Sequence, residues 1–416
     1  VRLNGEFSPP GDKSISHRIA LMSVLAEREC RLTNCSSGAD VRSSLEAVRN
    51  LGVQVRTEGD QIHIVGAGGR IPDSARIDCG NSGTTMRLLM GILAGRAGDF
   101  ILDGDGSLRR RPMERVALPL RNMGATIETH NGNCPVRIQG GSLKGIEYEL
   151  PVASAQLKSA VLLAGIQAHG ITTVREPAPS RDHTERLLKD WGARISGTAG
   201  EFRVERSGLT LPESFRVPGD ISSASFFLCA ATIIEGSEVA AEGVLLNPTR
   251  AGFLEVLQRM GAQMEIETRG DAPEPWGRVT ARFSADLSGC RIRAEEIPTL
   301  VDEVPILALV ATRAQGTTVF EGAGELRIKE TDRLAAVASQ LGLMGAKIVA
   351  EGDRLVIEGP TALKAPQRLQ SFGDHRMAMT LRLAGILTDS EPLIEDEEST
   401  AISYPEFHET LKRLLR

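Results

Sequence analysis

Seven cations stand in segments where they could meet an anion: Lys13, Arg18, Arg111, Arg181, Lys329, Arg333 and Arg376. Lys13 and Arg18 belong to Pro10-Gly11-Asp12-Lys13-Ser14-Ile15-Ser16-His17-Arg18, the lysine at the head of an expected helix and the arginine about one turn inside it. Arg111 ends the glycine-rich loop from Asp103 to Met113, beside a proline that reads as a helix start. A guanidinium fixed there can grip a carboxylate through two hydrogen bonds. Ser180 and Arg181 open another helix and could hold a phosphate. Lys329 and Arg333 are four residues apart, which on a helix turns them to one side with Glu330 adjacent. Glu330 and a carboxylate expected to be buried, Asp302, make an acid/base pair. Each segment alone reads equally as a capped helix or a solvated charge run. Together they describe a site for small polyanions at which protons are moved.

The elements that must carry these residues repeat. Polar heads followed by apolar runs recur six times, about 70 residues apart: Ser14-Ile15-Ser16, Ser82-Gly83-Thr84, Ser154-Ala155-Gln156, Ser222-Ser223-Ala224, Asp302-Glu303 and Asp374-His375-Arg376. Runs such as IALMSVLA, MRLLMGILAG and SFFLCAATII lack a wet face, so each reads as a helix buried all round. Such a helix offers a ligand only its ends. Its N-terminus carries unpaired N–H groups and partial positive charge, which suits phosphate or carboxylate. Amphipathic helices lie between them, ending at Gly52, Gly124, Gly192, Gly261 and Gly345 and followed by hairpins such as VQVRTEGDQIHIV. Gly80 and Gly83 flank Asn81, where backbone can approach a ligand closely.

The expected fold class is α/β, with two domains, each of three βαβαββ units around buried helices. The sixth copy stops at its amphipathic helix, EFHETLKRLLR, and the opening strand from Val1 to Phe7 is expected to join the second domain. Residues 12–219 then form the first domain, residues 1–11 with 220–416 the second, and a hinge falls near 10–13 and 217–220.

Composition removes several classes of function. A net charge of −6 and a pI near 5.8 disfavour a nucleic-acid partner, and 4% aromatic content leaves little for base stacking. Arg, Asp or Gly interrupts every apolar stretch, so no membrane span is expected. The opening VRLNGEFSPPGDK reads as strand and turn rather than a secretory signal, which makes a cytoplasmic location the expectation. Six scattered cysteines without CxxC spacing read as reduced thiols, and histidines without HxH or HExxH spacing imply no metal. Neither GxxxxGK[ST] nor a strand-borne GxGxxG occurs, so no nucleotide cofactor is expected.

The motifs Gly11-Asp12-Lys13-Ser14, Gly80-Asn81-Ser82-Gly83-Thr84, Arg111-Pro112, Ser154-Ala155-Gln156-Leu157-Lys158, Arg181-Asp182-His183-Thr184-Glu185, Asn247-Pro248-Thr249-Arg250, Lys329-Glu330-Thr331-Asp332-Arg333 and Asp374-His375-Arg376 stand in this order. With them the chain resembles the 5-enolpyruvylshikimate-3-phosphate synthases of the shikimate pathway, which leads to chorismate and the aromatic amino acids. The resemblance implies the inside-out barrel of enolpyruvyl transferases. It also implies transfer of the 1-carboxyvinyl group of phosphoenolpyruvate to the 5-hydroxyl of shikimate 3-phosphate, by a monomer without cofactor or metal. By resemblance, shikimate 3-phosphate meets Lys13, Ser14, Arg18, Ser154, Ala155, Gln156, Ser180, Arg181, Asp302 and Lys329. Phosphoenolpyruvate meets Lys13, Asn81, Gly83, Arg111, Gln156, Glu330, Arg333 and Arg376. The catalytic roles fall to Asp302, Glu330 and Lys13, and glyphosate competes with phosphoenolpyruvate.

The chain departs from this pattern at two places: Ile402 stands where some relatives carry a lysine, and Glu325 where an asparagine is common. Leu88 replaces the proline of glyphosate-sensitive relatives, and the GDKS, SAQLK, RDHTE and NPTR combination resembles the tolerant subgroup. The sister transferase acting on UDP-N-acetylglucosamine carries a loop cysteine where this chain has Gly106, and Lys-Asn where it has Lys13-Ser14.

Overall fold

A computed structural model describes residues 1–198 and 200–416, which divide into two compact units. One comprises Gly11–Val217; the other comprises Val1–Pro10 and Pro218–Arg416. Five four-stranded sheets share one plan. In one of them Ser74–Asp78 lies parallel to Gly98–Asp103, which is antiparallel to Asn133–Gly140, itself antiparallel to Thr126–His130. In the three sheets whose strands are consecutive in the chain, a buried helix follows the first strand and an amphipathic helix the second, which makes each one βαβαββ unit. The sixth unit keeps only its parallel pair, Arg368–Gln370 with Leu393–Glu395, and ends in the helix Phe407–Leu414. Among the described residues the sheets stay separate and close no barrel.

The other two four-stranded sheets, one in each compact unit, take their outer parallel strand from a distant part of the chain. Asn4–Phe7 pairs in parallel with Glu238–Leu245. Ser214–Arg216 pairs in parallel with Glu29–Thr33. Packing holds the first of these in place: Phe7 meets Phe227 edge-on at 5.1 Å, and Phe227 stacks on Phe407 at 5.2 Å. Aromatic pairs at such separations add about 0.5–1.5 kcal/mol beyond burial.

The buried helices are Lys13–Met22, Gly83–Ala94, Ala155–Gly165, Ile221–Ile233, Val304–Ala311 and His375–Ile386. All 13 residues of Ile221–Ile233 are buried, which its lack of a polar face requires. Five of the six helices start on a side-chain cap. Asp12, Ser82, Ser154, Asp220 and Asp374 each accept from a backbone N–H of the first turn, and such a cap is worth about 1 kcal/mol. The amphipathic helices end as their glycines demand: Gly52, Gly124, Gly192, Gly261 and Gly345 all have φ between 88° and 111°. Gly91 serves a different purpose. A β-carbon there would lie 2.2 Å from the carbonyl oxygen of Ala160, so the glycine lets Gly83–Ala94 and Ala155–Gly165 pack backbone to backbone. No helix among the described residues is long and apolar enough to cross a membrane. All six thiols are free.

Candidate active site

In the unit of residues 11–217, the heads of the buried helices are tied together by side chains. Lys13 is the first residue of its helix and lies 3.1 Å from Asp40. Arg18 is buried, and its Nη1 donates to the carbonyl of Ser14 at 2.9 Å. Its Nε donates to Thr184 at 2.8 Å and its Nη2 to Ser159 at 3.1 Å. The RDHTE segment is thereby joined to the first and third buried helices. Ser154 caps the third, with Ala155 and Gln156 forming its first turn.

A second network surrounds Gly83. Arg111 donates to the side-chain oxygen of Asn81 at 2.7 Å, while the Asn81 amide donates to Asp105 at 2.8 Å. Gln156 donates to Thr84 at 2.9 Å and accepts from Arg87, whose other amino group reaches the carbonyl of Pro112 at 3.2 Å. Arg87 therefore bridges three predicted segments, yet the sequence reading passed over it. Its signal was present: it is the one cation inside the run MRLLMGILAG. Asp40 and Thr184 were likewise missed as partners. Neither could be found from spacing, since they meet Lys13 and Arg18 across 27 and 166 residues.

Three expectations need correction here. Pro112 does not start the helix, which runs Glu114–Asn122 with Met113 as its cap; Arg111 is instead held extended by the proline that follows it. Ser180 and Arg181 do not open the helix, which runs His183–Asp190 with Asp182 as its cap; Ser180 is buried ahead of it, its hydroxyl donating to Glu176 at 2.6 Å. Arg181 follows it, half-buried, just ahead of the helix His183–Asp190. In the other unit, Lys329 and Arg333 do not share a helix face. Lys329 lies past a short helix, Ala323–Ile328, and Arg333 is the first residue of the next, Arg333–Leu343, capped by Asp332.

What the unit of residues 1–10 and 218–416 gathers is a cluster around Arg333. This guanidinium is almost fully buried and donates to Asp374 at 2.7 Å, Glu330 at 2.6 Å and Asp302 at 3.1 Å. Burial alone would weaken its hold on the proton, but the three carboxylates raise its pKa well above the usual arginine value. Asp374 serves twice, because its other oxygen caps His375–Ile386 by accepting from the Arg376 N–H at 2.9 Å. Arg376 reaches Asp302 at 3.4 Å, and its buried Nε has no partner among the described residues. Lys329 lies 3.8 Å from Glu325; burial lowers its pKa, with Asp302 and Glu325 pulling the other way. Asp302 itself is only partly buried. Its neighbour Glu303 is the fully enclosed carboxylate, its pKa raised by burial and by Asp302 and held back by Arg376 and Arg250. Ile402 is half-buried at the end of Glu397–Ile402.

The first unit also contains a pH-sensitive core group. His17 is buried with its Nδ1 2.7 Å from Ser44 Oγ, and Ser44 continues to Thr85 at 2.7 Å. Burial lowers the His17 pKa from 6.5 to about 3. The unfolded chain thus takes up a proton below pH 6.5 that the folded chain refuses until about pH 3, so stability falls as pH drops through that window. By pH 4.5 this one group should cost about 2–3 kcal/mol. Urea unfolding of His17→Asn should show that much less acid destabilisation than the wild type between pH 7 and 4.5; identical acid limbs would remove His17 as the cause.

Two units of three βαβαββ repeats, with cations at the heads of their buried helices, place the chain in the fold class of the enolpyruvyl transferases. The enolpyruvyl transferase NikO from Streptomyces tendae has this fold, at a TM-score of 0.80 and 20% identity, with 99% of this chain and 95% of that one covered. Within the class, the chain belongs to the EPSP synthase (3-phosphoshikimate 1-carboxyvinyltransferase) family, which it matches over residues 1–411. A protein of Bacillus velezensis named 3-phosphoshikimate 1-carboxyvinyltransferase is 46% identical, covering 100% of this chain and 98% of the relative. A Synechococcus protein of the same name is 48% identical, covering 99% and 95%. The solved EPSP synthase of Acinetobacter baumannii superposes with a TM-score of 0.89 at 40% identity, covering 99% and 96%.

Proposed function

We propose that this chain transfers the 1-carboxyvinyl group of phosphoenolpyruvate to the 5-hydroxyl of shikimate 3-phosphate and releases phosphate. The observation that carries the reading is the pairing of an EPSP synthase family match over residues 1–411 with cations fixed by side-chain partners, Arg18 and Arg111 in one unit and Arg333 in the other. In the reaction the 5-oxygen bonds to C2 of phosphoenolpyruvate while C3 gains a proton. The tetrahedral intermediate then loses that C3 proton and expels phosphate. No electrons are gained or lost, so preorganised charge and proton transfer suffice.

The roles follow the chemistry of each group. Arg18, Ser154, Ala155, Gln156, Ser180 and Arg181, with Lys13 and Ser14, hold the acceptor and its phosphate. Asn81 orients Arg111, and Arg333 and Arg376 are stiffened by Asp302 and Asp374, so these cations meet the carboxylate and phosphate of phosphoenolpyruvate already aligned. Glu330 delivers the proton to C3, and Asp302 or Lys13 takes that of the 5-hydroxyl. Lys329, with its lowered basicity, sits beside Asp302 on the acceptor side. The chain works as a monomer without cofactor, as the family resemblance implies, in the cytoplasm. Proton NMR of the product tests the reading: a vinylic pair on an ether at ring C5 is expected, and its absence would refute it.

Glyphosate competes for the phosphoenolpyruvate side of this site, more weakly than in proline-bearing relatives because Leu88 leaves the helix behind Gly83 unkinked. A β-carbon on Gly83 would lie 3.1 Å from Arg87 Nη1 and 3.6 Å from Arg111 Nη1. Gly83→Ala should therefore press on the Arg87 guanidinium, bring a methyl into contact with Arg111 and cost the inhibitor about 1–3 kcal/mol. Inhibition constants for both forms, measured at equal phosphoenolpyruvate saturation, check this; unchanged inhibition would contradict it.

A further inference from the structure

Lys158 and Glu185 belong to the motifs SAQLK and RDHTE, yet no step of the reaction uses them. Lys158 is fully buried in the helix Ala155–Gly165, one turn beyond the head formed by Ser154, Ala155 and Gln156. Its Nζ lies 2.7 Å from Glu185 and 2.9 Å from Glu176, both almost wholly buried, and 5.2 Å from the centre of the Phe202 ring. A buried lysine is tolerated when it is paired in this way. Burial pushes the Glu185 carboxyl up while Lys158 opposes the shift.

The cluster ends on Ser180. Glu176 accepts from the Ser180 N–H at 3.2 Å and from its hydroxyl at 2.6 Å, and Lys158 donates to the Ser180 carbonyl at 3.3 Å. Every polar group of Ser180 is thus tied to Lys158 or Glu176. The cluster joins the two segments assigned to the phosphate-bearing acceptor, the head at residues 154–156 and the pair Ser180-Arg181. A serine hydroxyl has one proton to give. When it turns to a phosphate, Glu176 still keeps Lys158 and the Ser180 N–H, so the segment stays in place.

We infer that Lys158, Glu176 and Glu185 are positioning residues that hold Ser180-Arg181 against the helix head at residues 154–156, and so set the affinity for the acceptor's phosphate. The inference rests on the proposed assignment of those two segments to shikimate 3-phosphate. None of the three touches a reacting atom.

Calorimetric titration of the full chain with shikimate 3-phosphate alone, followed by steady-state kinetics with both substrates, tests it. Lys158→Met and Glu176→Gln should each weaken shikimate 3-phosphate binding about tenfold or more and raise its KM in step. The KM for phosphoenolpyruvate should stay within about twofold, and Lys158→Arg should recover part of the loss. Glu176→Gln keeps the shape of the site, so it carries the test if Lys158→Met does not fold. Unchanged affinity, or an equal rise in both KM values, overturns the inference. A wild type that binds shikimate 3-phosphate without turning over defeats the proposed reaction but leaves this inference readable from the titrations. A wild type that does not bind it defeats both.

Discussion

Arg333→Met is expected to cost about 3–5 kcal/mol of folding stability, because it removes the buried guanidinium that pairs with the fully buried Asp374 and is shared by Glu330 and Asp302. Asp374, Glu330 and Asp302 lie 2.6–3.1 Å from Arg333, and Asp374 is fully buried. Without the cation, Asp374 is left to take up a proton or to move. Movement carries a further penalty, since Asp374 also caps the helix that bears Arg376 and Asp302 also pairs with Arg376. One substitution therefore disturbs two of the four cations assigned to phosphoenolpyruvate, Arg333 and Arg376. Turnover per encounter, kcat/KM, should fall about 10²–10³-fold or more, the scale of losing one preorganised charge donor at a developing anion. Urea unfolding and steady-state kinetics on the same preparation check both halves. A variant of wild-type stability would show that the cluster does not depend on its cation.

The second large effect is expected at Glu330. Its carboxylate accepts from Arg333 Nη2 at 2.6 Å, so Glu330→Gln can keep the shape and one hydrogen bond while losing the capacity to carry a proton. If Glu330 protonates C3 of phosphoenolpyruvate, kcat should fall about 10²–10⁴-fold, the usual scale for a general acid. Affinity for shikimate 3-phosphate, measured by calorimetry, should change by no more than about threefold. A loss of affinity matching the loss of turnover would make Glu330 a structural partner of Arg333 and would move the proton-transfer role to Lys13.

The repeat was legible because its physics is local. An apolar run with no wet face must be buried, a serine or aspartate before it caps it in five of six cases, and a glycine after an amphipathic helix turns left-handed. Those rules need no knowledge of the rest of the chain. The partners of the site residues were not legible, because they meet across large sequence separations: Arg18 finds Thr184, Arg87 finds Gln156, and Arg333 finds Asp302 and Asp374. Helical spacing misled at Lys329 and Arg333, where Asp332 caps a new helix and breaks the register between them. Asp302, expected to be buried, is only partly so, and its neighbour Glu303 is the buried one. Asp302 and Glu303 look alike before the apolar run, but the helix begins after Glu303 and encloses that one, leaving Asp302 open enough to pair with Arg333 and Arg376. The family motifs supplied what local rules could not, yet they did not say which residues touch a ligand and which, like Lys158 and Glu185, hold one another.

The central claim is that the cations at these helix heads serve enolpyruvyl transfer to one particular acceptor. Phosphate release from phosphoenolpyruvate, followed with shikimate 3-phosphate and with UDP-N-acetylglucosamine as alternative acceptors, tests it most directly. Release is expected with shikimate 3-phosphate alone, in amounts equal to the acceptor consumed. Release with UDP-N-acetylglucosamine instead, or with neither acceptor, would contradict the claim.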